Sequence, residues 1–162
     1  MDDLSHMDGE GRLRMVDVGG KTPTERRAVA EGWLIAGEEV MRAVEGGHAP
    51  KGNLYEAARL AGILAAKRTA DLVPLCHPLP LSHVQVDFEP AAERIRIIAS
   101  ASTVAATGVE MEALTAVSVA ALTLYDMLKA LSKGLRIEGI RLLEKRGGKS
   151  GTWRADEAGA GR

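Results

Sequence analysis

The side chains best suited to chemistry lie in three stretches of the chain. The first is Leu75-Cys76-His77-Pro78-Leu79. Neighbouring side chains in an extended segment diverge, so Cys76 and His77 cannot form a thiolate–imidazole pair with each other. A nucleophilic Cys76 needs another base; the alternative is a small buried hydrophobe lining a pocket. His77 follows a helical stretch in a loop, a position suited to contacting a ligand through its imidazole or the adjacent backbone.

The second stretch holds Glu110, Glu112, Asp126 and Lys129 in a long, otherwise apolar run. Asp126 is flanked by Tyr125 and Met127, where a carboxylate must find a partner or shift its pKa. Lys129, three residues on, shares its helix face and is that partner, as a surface ion pair or as a catalytic acid/base pair. Glu110 is accounted for as the third residue of a Thr107–Glu110 capping box. Glu112 has no such account.

The third stretch is basic. Lys51 precedes the first long helix, where a cation adds to the positive end of the helix dipole near an anion; the alternative is a solvated loop lysine. Gly147-Gly148-Lys149-Ser150-Gly151 fails as a P-loop because Leu143 stands where the earlier glycine is required and no helix clearly follows, yet it could act as a basic phosphate clasp.

The elements that must position these groups follow from periodicity. Residues 1–22 read as an extended arm and 23–152 as one domain, with 153–162 as a flexible tail. Thr24 to Ile35 has strand character but carries Arg27 and Glu31 in register with Val29, Trp33 and Ile35, a mixed face unusual for a plain core strand. Gly37 to Val44 suits a short helix, ended by the Gly46-Gly47-His48-Ala49-Pro50 break. Asn53 with Glu56 forms a capping box opening a helix from about Leu54 to Arg68. A hairpin follows, with Val84, Val86 and Phe88 on one strand and Ile95, Ile97 and Ala99 on the other. Met111 to Leu131 is a second helix whose middle is apolar on every side, and Arg136 to Glu144 is a last strand. Strand, helix, strand, strand, helix, strand predicts an α+β, ferredoxin-like domain: an antiparallel sheet with its helices on one face.

Composition removes several classes of function. With 21 basic and 22 acidic residues, net −1, the chain has no bulk attraction for nucleic acid. Aromatic residues are 3%, too few for base-stacking platforms. The one cysteine excludes an intramolecular disulfide and fits a reducing cytoplasm. No zinc-like spacing surrounds it, and neither a metal nor a cofactor is expected. Asp2 and Asp3 stand where a secretory signal carries basic and then apolar residues, and no uninterrupted apolar run reaches membrane-spanning length, so no membrane partner is expected.

Helix geometry adds a constraint. Glu112 and Asp126 are fourteen residues apart on one helix, about 21 Å at 1.5 Å per residue, so one small substrate cannot touch both within a chain. If both act, a site shared between subunits satisfies the distance, and the all-round apolar stretch from Ala113 to Leu122 predicts a homo-oligomer that would cover it.

Several blocks in order resemble the molybdenum cofactor biosynthesis protein C family. They are Met15-Val16-Asp17-Val18, Thr24-Glu25-Arg26-Arg27-Ala28, Ala66-Lys67-Arg68-Thr69, Leu75 to Leu79, Gly108 to Thr115, Tyr125-Asp126-Met127 and Gly147 to Gly151. The resemblance implies a lyase, cyclic pyranopterin monophosphate synthase. It converts a GTP-derived 3′,8-cyclised dihydroguanosine triphosphate to a pyranopterin bearing a cyclic phosphate and releases diphosphate. It also implies a hexamer, a trimer of dimers with sites at a subunit interface. Carried over by motif, Asp126, Lys51 and Lys129 are catalytic. Leu75, Cys76, His77, Met111 and Glu112 contact the substrate, and Arg26 and Lys145 hold its phosphates. The competing readings are a non-catalytic nucleotide-sensing module on the same fold and a different nucleotide-processing enzyme using Cys76 as nucleophile.

Overall fold

A computed structural model describes residues 6–48 and 53–156. The elements run β1 (Thr24–Ile35), α1 (Glu38–Glu45), α2 (Leu54–Lys67), α3 (Thr69–Leu72), β2 (Leu81–Pro90), β3 (Arg94–Ala105), α4 (Glu110–Leu128), β4 (Arg136–Arg146) and β5 (Trp153–Arg154). The sheet order is β2-β3-β1-β4-β5, and the neighbouring pairs are antiparallel. With α2 and α4 packed on one side, this is the expected ferredoxin-like arrangement.

The alternation along β1 builds the two faces. Ala28, Ala30 and Leu34 are fully buried beneath the helices with Ile95, Ile97, Val117, Leu124 and Leu128. Large apolar side chains buried this way contribute about 1.5–3 kcal/mol each. The mixed face is explained on the other side of the sheet. Glu31 is 3% exposed, and its two carboxylate oxygens accept from Arg96 and Arg141 at 2.7 Å. A buried carboxylate bracketed by two guanidinium groups has the pairing that burial requires. Trp33 lies beneath Arg94, whose guanidinium carbon is 4.4 Å from the ring centre.

At the helix ends the two capping patterns part ways. Asn53 caps α2, accepting from the Glu56 backbone N–H at 3.2 Å. The Thr107–Glu110 pattern does not cap α4: Val109 holds the N-cap position, with no side-chain hydrogen bond to the helix end. Helix α4 also ends at Leu128 rather than Leu131 and is buried on one side only, leaving Leu122 57% exposed. By length and composition α4 could cross a membrane, but half of that apolar stretch is buried within the fold.

Two more departures concern the ends. Residues 6–14 are folded back in a small hairpin, with a Met7–Leu13 bridge and the Asp8 carboxylate accepting from the backbone of Glu10 and Arg12. Trp153 and Arg154, assigned to a tail from the sequence, pair with Lys145 and Glu144 as an edge strand.

Candidate active site

Two adjoining chambers open where the N-terminal arm, the start of α4 and the end of β4 converge. The first, about 700 Å³, has four cations in its wall: Lys21 from the arm, Arg26 from β1, Lys145 from β4 and Lys149 from the turn after it. Thr22, Thr24, Thr107 and Ser150 add hydroxyls. One carboxylate belongs to the wall, Glu110, whose Oε1 lies 3.1 Å from Lys145 Nζ. This charge excess suits an oxyanion-rich ligand.

Arg26 is held unusually here. Its Nη2 donates to the Ala106 carbonyl at 3.4 Å, while its buried Nε has no acceptor among the described residues. An orphaned buried donor costs about 1–3 kcal/mol, a penalty more common at functional sites than elsewhere.

The second chamber, about 330 Å³, is lined by Leu75, Cys76, His77 and Leu79 from the loop before β2, by Met111 and Glu112 from α4, and by His6, Val16 and Val18 from the arm. Lys21, Thr107, Gly108 and Glu110 belong to both walls, so the chambers adjoin there. His77 Nε2 lies 2.7 Å from the Val16 carbonyl. A carbonyl only accepts, so Nε2 donates. The contact ties the loop to the arm.

Burial pushes the Cys76 thiol above its ordinary range, and Glu112 adds to the rise. A thiol held protonated is a poor nucleophile, which fits Cys76 as wall rather than reagent. Burial likewise raises the Glu112 carboxyl; a hydrogen bond from its own backbone N–H partly opposes this, and nearby Glu110 reinforces it. At 4% exposure, Glu112 is a carboxyl biased toward keeping its proton.

Asp126 and Lys129 line neither chamber. They form a 2.6 Å ion pair at the far end of α4, with side chains 56% and 58% exposed, so within this chain Asp126 finds its partner at the surface rather than in an apolar setting. The physical reason is α4's one-sided packing: residue 126 falls on the flank facing away from the sheet. The ion pair raises the Lys129 pKa. Lys51 lies outside the described residues.

The chain thus brings together Leu75, Cys76, His77, Met111 and Glu112 in one chamber and Arg26 and Lys145 in the next, and leaves Asp126 and Lys129 apart. Sequence reasoning missed Lys21 and Glu110. Glu110 was credited to a cap that does not form. Among the described residues no group of three or more His, Cys, Asp or Glu side chains could hold a metal ion.

The MoaC family model matches residues 15–148. A cyclic pyranopterin monophosphate synthase from Novosphingobium aromaticivorans is 59% identical over 97% of the chain and 100% of its own length. Enzymes of the same name from Desulforapulum autotrophicum and Chloroflexus aggregans are 56% and 52% identical, each over 98% of the chain and over 99% and 97% of their own lengths. The chain belongs to the MoaC family.

Proposed function

We propose that this chain is a cyclic pyranopterin monophosphate synthase of molybdenum cofactor biosynthesis, a lyase acting on 3′,8-cyclo-7,8-dihydroguanosine 5′-triphosphate. The observation that carries the reading is the joining of a cation-walled chamber to one walled by a thiol, an imidazole and a proton-retaining carboxyl. A nucleoside triphosphate derivative has two such ends. The relatives' shared name supports the same product, cyclic pyranopterin monophosphate.

In this reading Arg26 and Lys145, with Lys21 and Lys149, hold the phosphates, and Leu75, Cys76, His77, Met111 and Glu112 surround the purine-derived ring system. Forming the cyclic phosphate requires a substrate hydroxyl oxygen to bond to the α-phosphorus while the α–β bridging bond breaks and diphosphate leaves. Cations at the β- and γ-phosphates stabilise that departing charge. Opening the purine's five-membered ring and closing a pyrazine require repeated proton transfers, the work of Asp126, Lys129 and Lys51.

Those proton-transfer groups come from a neighbouring subunit in the proposed cytoplasmic homohexamer, a trimer of dimers with sites at an interface. Support comes from the exposure of Asp126 and Lys129 remote from both chambers, and from Leu60, Leu64 and Leu122 left exposed on the outer helix layer.

The test is incubation with the cyclised GTP precursor, following diphosphate and the pyranopterin. The account expects both in equal amounts. Binding without turnover would sink it in favour of a nucleotide sensor.

A further inference from the structure

Arg26 extends from the same face of β1 as Ala28 and Ala30 and reaches the cation-walled chamber. Its hydrogen bonds do not fix its direction, since one is long and the buried Nε makes none among the described residues. Its confinement comes from a backbone turn. Gly147 and Gly148 follow β4 with φ of 98° and 74°, in the left-handed region. A Cβ on Gly148 would overlap Arg26 Nη1 and lie 2.6 Å from Cζ and 2.9 Å from Nη2; one on Gly147 would overlap the Glu25 carbonyl oxygen first and lie 3.1 Å from Arg26 Cδ, so it is Gly148 that meets the guanidinium. The backbone of the turn therefore lies against the guanidinium over most of its length.

We infer that the Gly147-Gly148 turn is a positioning device for Arg26, the missing Cβ of Gly148 letting the backbone close on the guanidinium and hold it by shape toward the oxygens of a bound diphosphate group. The inference rests on the phosphate assignment of that chamber. A planar fork recognises oxyanions through its orientation, so a displaced guanidinium loses more than a displaced ammonium would.

Gly148 and Gly151 separate this role from a mere need for glycine. Gly151 also has a left-handed φ, 64°, but a Cβ there meets nothing within 4 Å. Gly148→Ala and Gly151→Ala therefore carry similar backbone strain, and only the first displaces Arg26. The atoms displaced are the end of a flexible side chain, so the fold has room to survive.

The test is calorimetric titration of the full chain with inorganic diphosphate. Arg26→Ala should weaken binding about tenfold or more, the range of a charge-assisted contact. Gly148→Ala should weaken it comparably, and Gly151→Ala by less than about twofold. In an Arg26→Ala background, Gly148→Ala should add nothing, the coupling expected when two changes act through one group. Wild-type affinity in Gly148→Ala, an undiminished loss in the double variant, or no diphosphate binding by the wild-type chain would each overturn the inference. If Gly148→Ala fails to fold, the double variant, lacking the guanidinium, should fold; if it too fails, the obstruction is not Arg26. Turnover is not read, so failure of the synthase reading and failure of this one remain distinct.

Discussion

Glu112 and Asp126 sit on one helix in opposite surroundings. The first is buried and inclined to keep its proton, and the second is exposed against Lys129. Asp126→Asn removes one member of an exposed, solvent-screened pair, so thermal stability should hardly move. Turnover should fall about 100-fold or more with only a small loss of substrate binding, as for a group that moves protons rather than holds ligand. Steady-state kinetics beside a melting curve reads both.

Glu112→Gln probes the buried carboxyl by linkage. Because the folded pKa is raised above the ordinary 4.5, the native state holds this proton more tightly. Its stabilising contribution is therefore complete below about that pH and is lost as pH rises through the folded value. Glutamine mimics the protonated form at every pH. The variant's melting temperature should match the wild type in acid and exceed it increasingly as pH rises; a constant difference would contradict the assignment.

At the level of elements, α2 and α4 pack closely against each other within the helix layer at Gly62. A Cβ on Gly62 would lie 2.9 Å from the Ala116 carbonyl oxygen and 3.1 Å from a Val86 methyl. Gly62→Val must push the helices apart, at a cost of about 1–3 kcal/mol typical of overpacking. Urea unfolding should show a lower midpoint at unchanged slope.

Much of this architecture was legible because it is periodic: the strands alternate, α2 carries its own cap at Asn53, and their order dictates the ferredoxin-like topology. What was not legible depends on distant partners. Four residues of α3 are too few to show a period, and Trp153–Arg154 becomes a strand only by pairing with β4. The Thr107–Glu110 pattern promised a cap, but the helix begins later and Glu110 turns to Lys145 instead. The loop residues Leu75 to His77 were readable as a site from local types. The joining of two chambers through Lys21 and Glu110 was not, because it depends on the arm folding back across the sheet's end.

For the whole molecule, one helix joins a chamber at its N-terminal end to the Asp126–Lys129 ion pair at its other end, fourteen residues and about 21 Å away. No small ligand spans that within a chain, and the exposed outer leucines supply a surface for neighbouring copies. In the proposed hexamer, one subunit's Asp126 and Lys129 would stand beside another's Glu112, completing each site from two chains.

Mixing inactive Glu112→Ala and Asp126→Asn chains, dissociating them and letting them reassemble tests this most directly. A shared site leaves about one site in four with both halves intact after random assembly, so about a quarter of wild-type activity should return. Activity no greater than that of the two variants kept apart would place every needed group within one chain, and would contradict the account.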